Sequence, residues 1–440
     1  MAQSNLFSRK KPVLPLFTFI IALSLLTTVP FFTPQLCADQ GIKRLVLEIE
    51  IIGDKRSKKK TILSDLAFSK GDYIRDKDIE ESRQNLMNTE LYSSVLIEEV
   101  ELEIEGTVKV RVVVREKWSY LPLPIFVRTS DGETRTGLSY EDYNFKGRAY
   151  YLKFKWLSKW ADDYDKYIGE DYSLQLQMPD FYRKDSTLSF RLSSGKALEQ
   201  TFLDGEEISR YKESTEAYSM SLGRSIGDVN AGISYSFSRN RYHYLEGLIQ
   251  PYTETRISSV GISLGLDTVN NLGSYIYEGY SLYLNVGESN EAIGSDVNAT
   301  TYSLDLKHFI HLGGRKNLAY RLNGAFITGK TAEGLKLTVG GSTSLRGYKK
   351  GEYEGDRTVR FNSEYRFPLT ARYWGGVVFL DGAYAWPEED AMAAEDMKWG
   401  AGLGLRIFIE RLVKGVARID YAYNLSRHES IAYFGMQHTF

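Results

Sequence analysis

The sequence predicts an all-β transmembrane barrel of about 16 antiparallel strands, preceded by one small α+β domain. Three observations carry this expectation. The chain opens with an export signal, no later segment is an apolar helix long enough to span a membrane, and a long run of strand-length segments alternates apolar with polar residues up to an aromatic last residue. Composition agrees. Of 440 residues, 42% are apolar and 13% aromatic, with 31 Tyr and 38 Gly, a mixture suited to strands and tight turns. The net charge of −2 gives no field that would favour nucleic acid.

The first 38 residues read as a secretory signal peptide. Arg9, Lys10 and Lys11 form a positive start, Val13 to Val29 is apolar, and Leu36-Cys37-Ala38 precedes Asp39. Cys37 does not mark a lipoprotein, because Pro34-Gln35-Leu36 offers no small residue just before it. It is the only cysteine, so the mature chain has no thiol chemistry, as suits an oxidising compartment. Beyond the signal no run of about 18 apolar residues follows, so a membrane could be crossed only by a closed barrel.

Residues 42–118 read β-α-α-β-β. Leu45 to Ile51 alternates as a strand, and a basic run from Lys55 to Lys60 leads into helical spacing over Thr61–Leu66. Asp76 is the expected N-cap of a second helix through Ile79, Leu86 and Met87. Tyr92–Leu102 and Val108–Val114 then form a hairpin around Glu105-Gly106. The basic run Arg56–Lys60 reads as a solvated turn in preference to a binding patch.

From 119 to 440 the period is two. Leu174, Leu176 and Met178 interleave with Ser173, Gln175 and Gln177, and Val260, Ile262, Leu264 and Leu266 with Ser259, Gly261, Ser263 and Gly265. Leu403, Leu405, Ile407 and Ile409 repeat the design. Such strands have one apolar face and one polar face, the arrangement of a barrel with lipid outside and a polar lumen inside. In the expected last strand, Phe434, Met436, His438 and Phe440 share one face. An amphipathic final strand ending in Phe is the signal by which outer-membrane assembly machinery recognises clients.

Three segments near the C-terminus carry a more specific resemblance. Gly340-Gly341-Ser342-Thr343-Ser344-Leu345-Arg346-Gly347-Tyr348 lies in a long loop, followed by Phe361 to Leu369 and by Val378-Phe379-Leu380-Asp381-Gly382. In this order they resemble the bacterial surface antigen superfamily of outer-membrane assembly and translocation barrels, which includes the Bam and Tam barrel subunits. The family's loop motif of aliphatic-Arg-Gly-aromatic is here Leu345, Arg346, Gly347 and Tyr348. Tyr143 to Arg148 resembles the family's first barrel hairpin, Gly400 to Arg406 its antepenultimate strand, and residues 42–118 its polypeptide-transport-associated (POTRA) domain.

The resemblance implies a loop folded inside the barrel and held there by Arg346. Period two independently turns Glu364 inward, opposite in sense to Phe361, Tyr365 and Phe367, and Asp381 inward against Val378 and Leu380. Both carboxylates are therefore the expected partners of Arg346. Two readings of this arginine stand side by side: an anchor that only stabilises the plug, and a group that acts in the working cycle.

The expected function is assembly, insertion or translocation of unfolded outer-membrane or secreted client proteins in the outer membrane of a diderm bacterium. The POTRA-like domain would lie in the periplasm, binding client strands by β-augmentation, and the first and last strands would part as the insertion site. Outer-membrane lipid and accessory periplasmic proteins are the further expected partners. The main assembly subunits of the family carry several POTRA domains, and room for one points to a specialised factor. The alternative is a passive outer-membrane channel with a plug loop. No enzyme, cofactor, metal or nucleic-acid role is expected: His308 and His311, three apart on a strand, would face opposite sides, and no phosphate loop or HExxH occurs.

Overall fold

The computed structural model describes residues 43–128, 133–161, 167–203, 206–248, 253–273, 275–330 and 335–440. The expected signal segment, 1–38, lies outside them.

The N-terminal domain runs β1 (Arg44–Ile52), α1 (Lys59–Ser64), β2 (Tyr73–Ile74), α2 (Asp76–Asn88), β3 (Tyr92–Glu101) and β4 (Thr107–Glu116). Its sheet order is β2-β1-β4-β3, with β1 and β4 parallel. Alternation along β4 buries Val108, Val110, Val112 and Val114 against Ile62 of α1 and Leu86 of α2. Each such side chain contributes roughly 1.5–3 kcal/mol by leaving water. Helix α2 begins one residue earlier than expected. Asp76 is its first helical residue and pairs with Arg44, while the backbone N–H of Arg75 donates to Asp78 at 2.8 Å and so closes the first turn.

The rest of the chain is a closed antiparallel barrel. Its wall contains β5 (Tyr120–Arg128), β6 (Glu133–Phe145), β7 (Tyr150–Ala161), β8 (Tyr167–Pro179), β9 (Ser186–Leu203), β10 (Glu206–Ile226), β11 (Val229–Gly247) and β12 (Glu254–Asp267). After the four-residue β13 (Asn270–Gly273) come β14 (Ile276–Ser289), β15 (Asn298–His311) and β16 (Asn317–Lys330). Within the next crossing, β17 (Leu337–Val339) and β18 (Tyr353–Gly355) form a small hairpin of their own. The wall resumes with β19 (Arg357–Pro368), β20 (Trp374–Trp386), β21 (Lys398–Phe408), β22 (Val416–Asn424) and β23 (Ser430–Met436), which closes on β5.

Ile262 pairs with Ile233 and Val286, and Leu264 with Leu284; all five side chains are exposed on the outside of the wall. A row of exposed aliphatics on the outer face is unfavourable in water and favourable in lipid. The wall is uneven in height. β10 has 21 residues and β23 only 7, so at ~3.3 Å per residue they run about 70 and about 23 Å. Apart from β13, the shortest wall strands, β5 and β22 of nine residues and β23 of seven, lie at the seam where the ring closes.

Two sequence expectations are corrected here. The segment Tyr143–Arg148 turns the second wall strand, β6, into the third, β7, and so is not the barrel's first hairpin. The last strand ends at Met436. Phe434 and Met436 share the outward face, whereas His438 and Phe440, expected on the same face, do not. Gln437 takes φ +65°, its N–H donates to Val416 O at 2.6 Å, and the chain then turns inward. There Arg366 holds Phe440, donating to its carbonyl at 3.1 Å and lying 5.4 Å above its ring.

The N-terminal domain is fixed to one rim of the barrel at three turns. At β6–β7, Lys58 N and Thr61 Oγ1 donate to Gly147 O at 2.8 and 3.0 Å, and Arg56 pairs with the buried Asp142. Gly147 takes φ +69°, and a Cβ there would meet Arg56 O at 2.2 Å, so only glycine permits this approach. Before β14, Gln84 Nε2 donates to Asn271 O at 3.1 Å, and Asn271 N donates to Asn88 Oδ1 at 2.9 Å. At the β21–β22 turn, Trp118 N donates to Arg411 O, and Val413 joins the domain's own core. These turns are spread round the ring, so the domain underlies the mouth of the barrel. Arg56 is thereby part of an interface, a correction to the solvated-turn reading of the basic run.

Asp65, at the end of α1, gives this junction a pH dependence. Burial pushes its carboxyl up to about 7, Asp180 adds to the shift, Lys184 opposes it and Asp185 adds again. An acid whose folded pKa is raised from its ordinary 3.8 favours the folded state below that value, and this advantage fades as pH rises to about 7. Hydrogen exchange over residues 59–66, corrected for intrinsic rate, is expected to quicken between pH 5 and 8 (a range of about three units around that value). Asp65→Asn is expected to abolish the change; an unaltered pH profile in that variant would refute the assignment.

Candidate functional site: the loop seat in the lumen

The crossing from β16 to β19 carries Leu345-Arg346-Gly347-Tyr348 into the barrel. Leu345, Arg346 and Tyr348 are each 0% exposed. Leu345 and Tyr348 pack with Val339 and Ala383, so an apolar cluster joins the loop to the inner face of β20. Gly347 takes φ +97°, turning the loop beside β22 and letting its N–H donate to Tyr433 Oη at 3.1 Å. Tyr433 donates in turn to Tyr348 O at 2.8 Å, tying the loop to the last strand.

The guanidinium of Arg346 engages Asp381 in a fork, Nε to Oδ2 at 2.6 Å and Nη2 to Oδ1 at 2.9 Å. The backbone N–H of Arg346 donates to the same carboxylate at 3.1 Å. Nη1 reaches Glu364 Oε1 at 2.8 Å and Asp420 Oδ2 at 3.3 Å, and donates to Thr439 Oγ1 at 3.1 Å. The ring of Phe379 lies beneath, 3.5 Å from Cζ, in cation–π geometry. Glu364 and Asp381 thus both touch Arg346, on adjacent strands β19 and β20.

Other contacts were missed at the sequence level. Asp420 also pairs with Arg406 at 2.5 Å, and Glu364 with Arg366 at 2.8 Å. Asn362 Nδ2 donates to both Asp381 Oδ1 and Ser344 O, each at 2.9 Å. Thr439 Oγ1 accepts from Arg418 as well as Arg346. A signal for Asp420 was available: in β22, Arg418, Asp420, Ala422 and Asn424 are buried while Ile419, Tyr421 and Tyr423 are exposed, the same alternation that turned Glu364 inward. Nothing local announces Thr439, because its position depends on the turn at Gln437.

The outcome is a buried cluster of Arg346, Arg366, Arg406 and Arg418 with Glu364, Asp381 and Asp420. Taking these charges out of water is costly, and only their mutual pairing offsets it. That pairing fixes the loop to β19, β20 and β22, and the hydrogen bonds of Tyr433 add β23, the strand at the seam. A second anchor lies outside the cluster, where buried Glu352 accepts from Lys349 N at 2.7 Å and pairs with Arg427 at 2.9 Å. His308 and His311 both lie on β15, with His311 Nε2 3.0 Å from Gly314 O. No metal-holding group of three or more His, Cys, Asp or Glu occurs among the described residues.

A closed barrel with an apolar outer face, an arginine-seated loop inside and a small α+β domain under one mouth defines an outer-membrane barrel of the assembly and transport class. Comparison with known families agrees. The Omp85 superfamily domain matches residues 144–440, and the POTRA domain, a surface antigen variable number repeat, matches 45–117. The chain belongs to the Omp85 superfamily. Among solved structures it is similar to CdiB from Escherichia coli (TM-score 0.62, 14% identity, 90% of this chain and 75% of that one). It is also similar to CdiB from Acinetobacter baumannii (0.59, 14%, 89% and 73%) and to BamA from Haemophilus ducreyi lacking POTRA domains 1–3 (0.53, 14%, 89% and 85%). At that identity the likeness shows the fold. Comparison with curated protein sequences gives no match.

Proposed function

We propose that this protein inserts or translocates unfolded client proteins at the outer membrane, with its POTRA domain in the periplasm and no enzymatic step. The observation that carries the reading is the seat of the loop. Arg346 holds the lumen segment on the strands that lead to a short, low seam, so the state of the loop and the state of the seam are mechanically linked.

The POTRA sheet supplies a receiving edge. β3 is the outer strand of the β2-β1-β4-β3 order, and its free backbone groups would pair with an extended client without regard to sequence. Such a client would pass to the seam, where β23, only seven residues long, closes on β5. The outward Phe434 and Met436 would present the chain's own assembly signal on that strand.

The test is reconstitution in liposomes. The folding rate of an urea-unfolded client barrel is followed with the protein present and absent. Acceleration is expected. No acceleration, together with ion conductance by the same liposomes, would favour the passive channel.

A further inference from the structure

The POTRA-bearing rim carries a cluster of cations that the reading above does not use. Lys55, Lys58, Lys59 and Lys60 of the loop before and into α1 are exposed, as are Lys146 and Arg148 of the β6–β7 turn. The two segments are held together: Lys58 N donates to Gly147 O, and Gly147 approaches Arg56 O too closely for any side chain. Three nearby carboxylates are already engaged. Asp142 pairs with Arg56, Glu116 accepts from the backbone N–H groups of Arg56 and Ser57, and Glu141 pairs with Lys153. Among the described residues none of the six cations forms an ion pair with a carboxylate.

Where the cluster points decides what it can meet. Phe145 pairs directly with Tyr150 across β6 and β7, so both rings share one face. Tyr150 falls in step with Phe154 and Trp156, which are exposed on the outer face of β7. Lys146 Nζ lies 5.4 Å from the Phe145 ring and Arg148 Cζ 6.0 Å from the Tyr150 ring. These cations therefore stand on the lipid-facing side, beside an aromatic girdle, at the level where headgroups lie. On the opposite rim, the loop between β20 and β21 carries Glu388, Glu389, Asp390, Glu395 and Asp396.

We propose that Lys55, Lys58, Lys59, Lys60, Lys146 and Arg148 form a docking surface for anionic phospholipid headgroups of the adjoining leaflet. Four to eight clustered cations beside a membrane anchor are what phosphate-bearing headgroups attract. Because four of the six belong to the POTRA domain, a headgroup bridging them to Lys146 and Arg148 would also hold that domain against the rim. The proposal rests on the outer face of the barrel being lipid-facing.

The experiment is native mass spectrometry of the refolded full chain in detergent, offered equal amounts of phosphatidylglycerol and phosphatidylcholine. Phosphatidylglycerol adducts are expected to exceed phosphatidylcholine adducts by about tenfold. The combined variant Lys55→Gln, Lys58→Gln, Lys59→Gln and Lys60→Gln, all at exposed positions, is expected to reduce the excess several-fold while keeping the wild-type shift in gel mobility on heating. Equal binding of the two lipids by the wild type, or an unchanged preference in the variant, overturns the proposal. Failure of either lipid to bind overturns the lipid-facing reading with it.

Discussion

An Arg346→Ala barrel unfolds at a lower urea concentration than the wild type, with an expected loss of about 3–5 kcal/mol. The size follows from what is left behind. Asp381 loses its two-point side-chain partner and keeps only the backbone N–H of residue 346 and Asn362, and Glu364 and Asp420 lose one contact each, all three in a site that excludes water. An unpaired buried carboxylate costs far more than the net value of the pair that satisfied it. Arg346→Lys separates charge from geometry. An ammonium keeps the charge but cannot form the fork on Asp381, nor lie flat on Phe379, so an intermediate loss is expected. Urea unfolding followed by heat-modified gel mobility measures all three proteins. A wild-type midpoint in Arg346→Ala would mean that the cluster does not hold the loop.

The second large effect needs no change in charge. Gly400 of β21 sits against the loop backbone, and a Cβ there would lie 1.9 Å from Arg346 O. No side-chain rotation relieves a clash between Cβ and a backbone carbonyl, so in Gly400→Val either the loop or the strand must move. Overpacking of this kind costs about 1–3 kcal/mol. Here the cost is expected to fall on the loop, because β21 is held by ladders to both β20 and β22. Limited proteolysis is expected to cut the 340–348 segment in Gly400→Val and to spare it in the wild type. Equal protection in both would place the loop elsewhere.

Together these variants separate two roles for Arg346. If displacing the loop by either route changes client folding equally, the arginine is an anchor. If Arg346→Ala abolishes client folding while Gly400→Val, with its loop equally accessible, does not, the guanidinium itself acts in the cycle.

Alternation made most of this architecture legible. A strand buried toward a polar lumen on one side and lipid on the other writes its orientation into every second residue, and that sufficed to turn Glu364 and Asp381 inward. It would have served equally for Asp420, whose neighbours Ile419 and Tyr421 face outward. Two features were not legible because they depend on contacts remote in sequence. Alternation carried the last strand through to Phe440, but the positive φ at Gln437 and the hold of Arg366 on Phe440 end it four residues early. Likewise Arg56 looks like one cation in a basic run. Asp142, 86 residues away, together with Ser119 and the ring of Tyr120, makes it part of an interface.

The central claim, that clients pass from the POTRA edge to the seam, is tested most directly by photo-crosslinking. A photoreactive residue is placed at Leu96, 53% exposed on β3, or at Phe434, 71% exposed on the outer face of β23. A third protein carries it at Ile262, on the outer wall away from the seam. During folding of an unfolded client barrel in liposomes, adducts are predicted at Leu96 and Phe434 and not at Ile262. Adducts at neither Leu96 nor Phe434, or equal adducts at all three, would contradict the account.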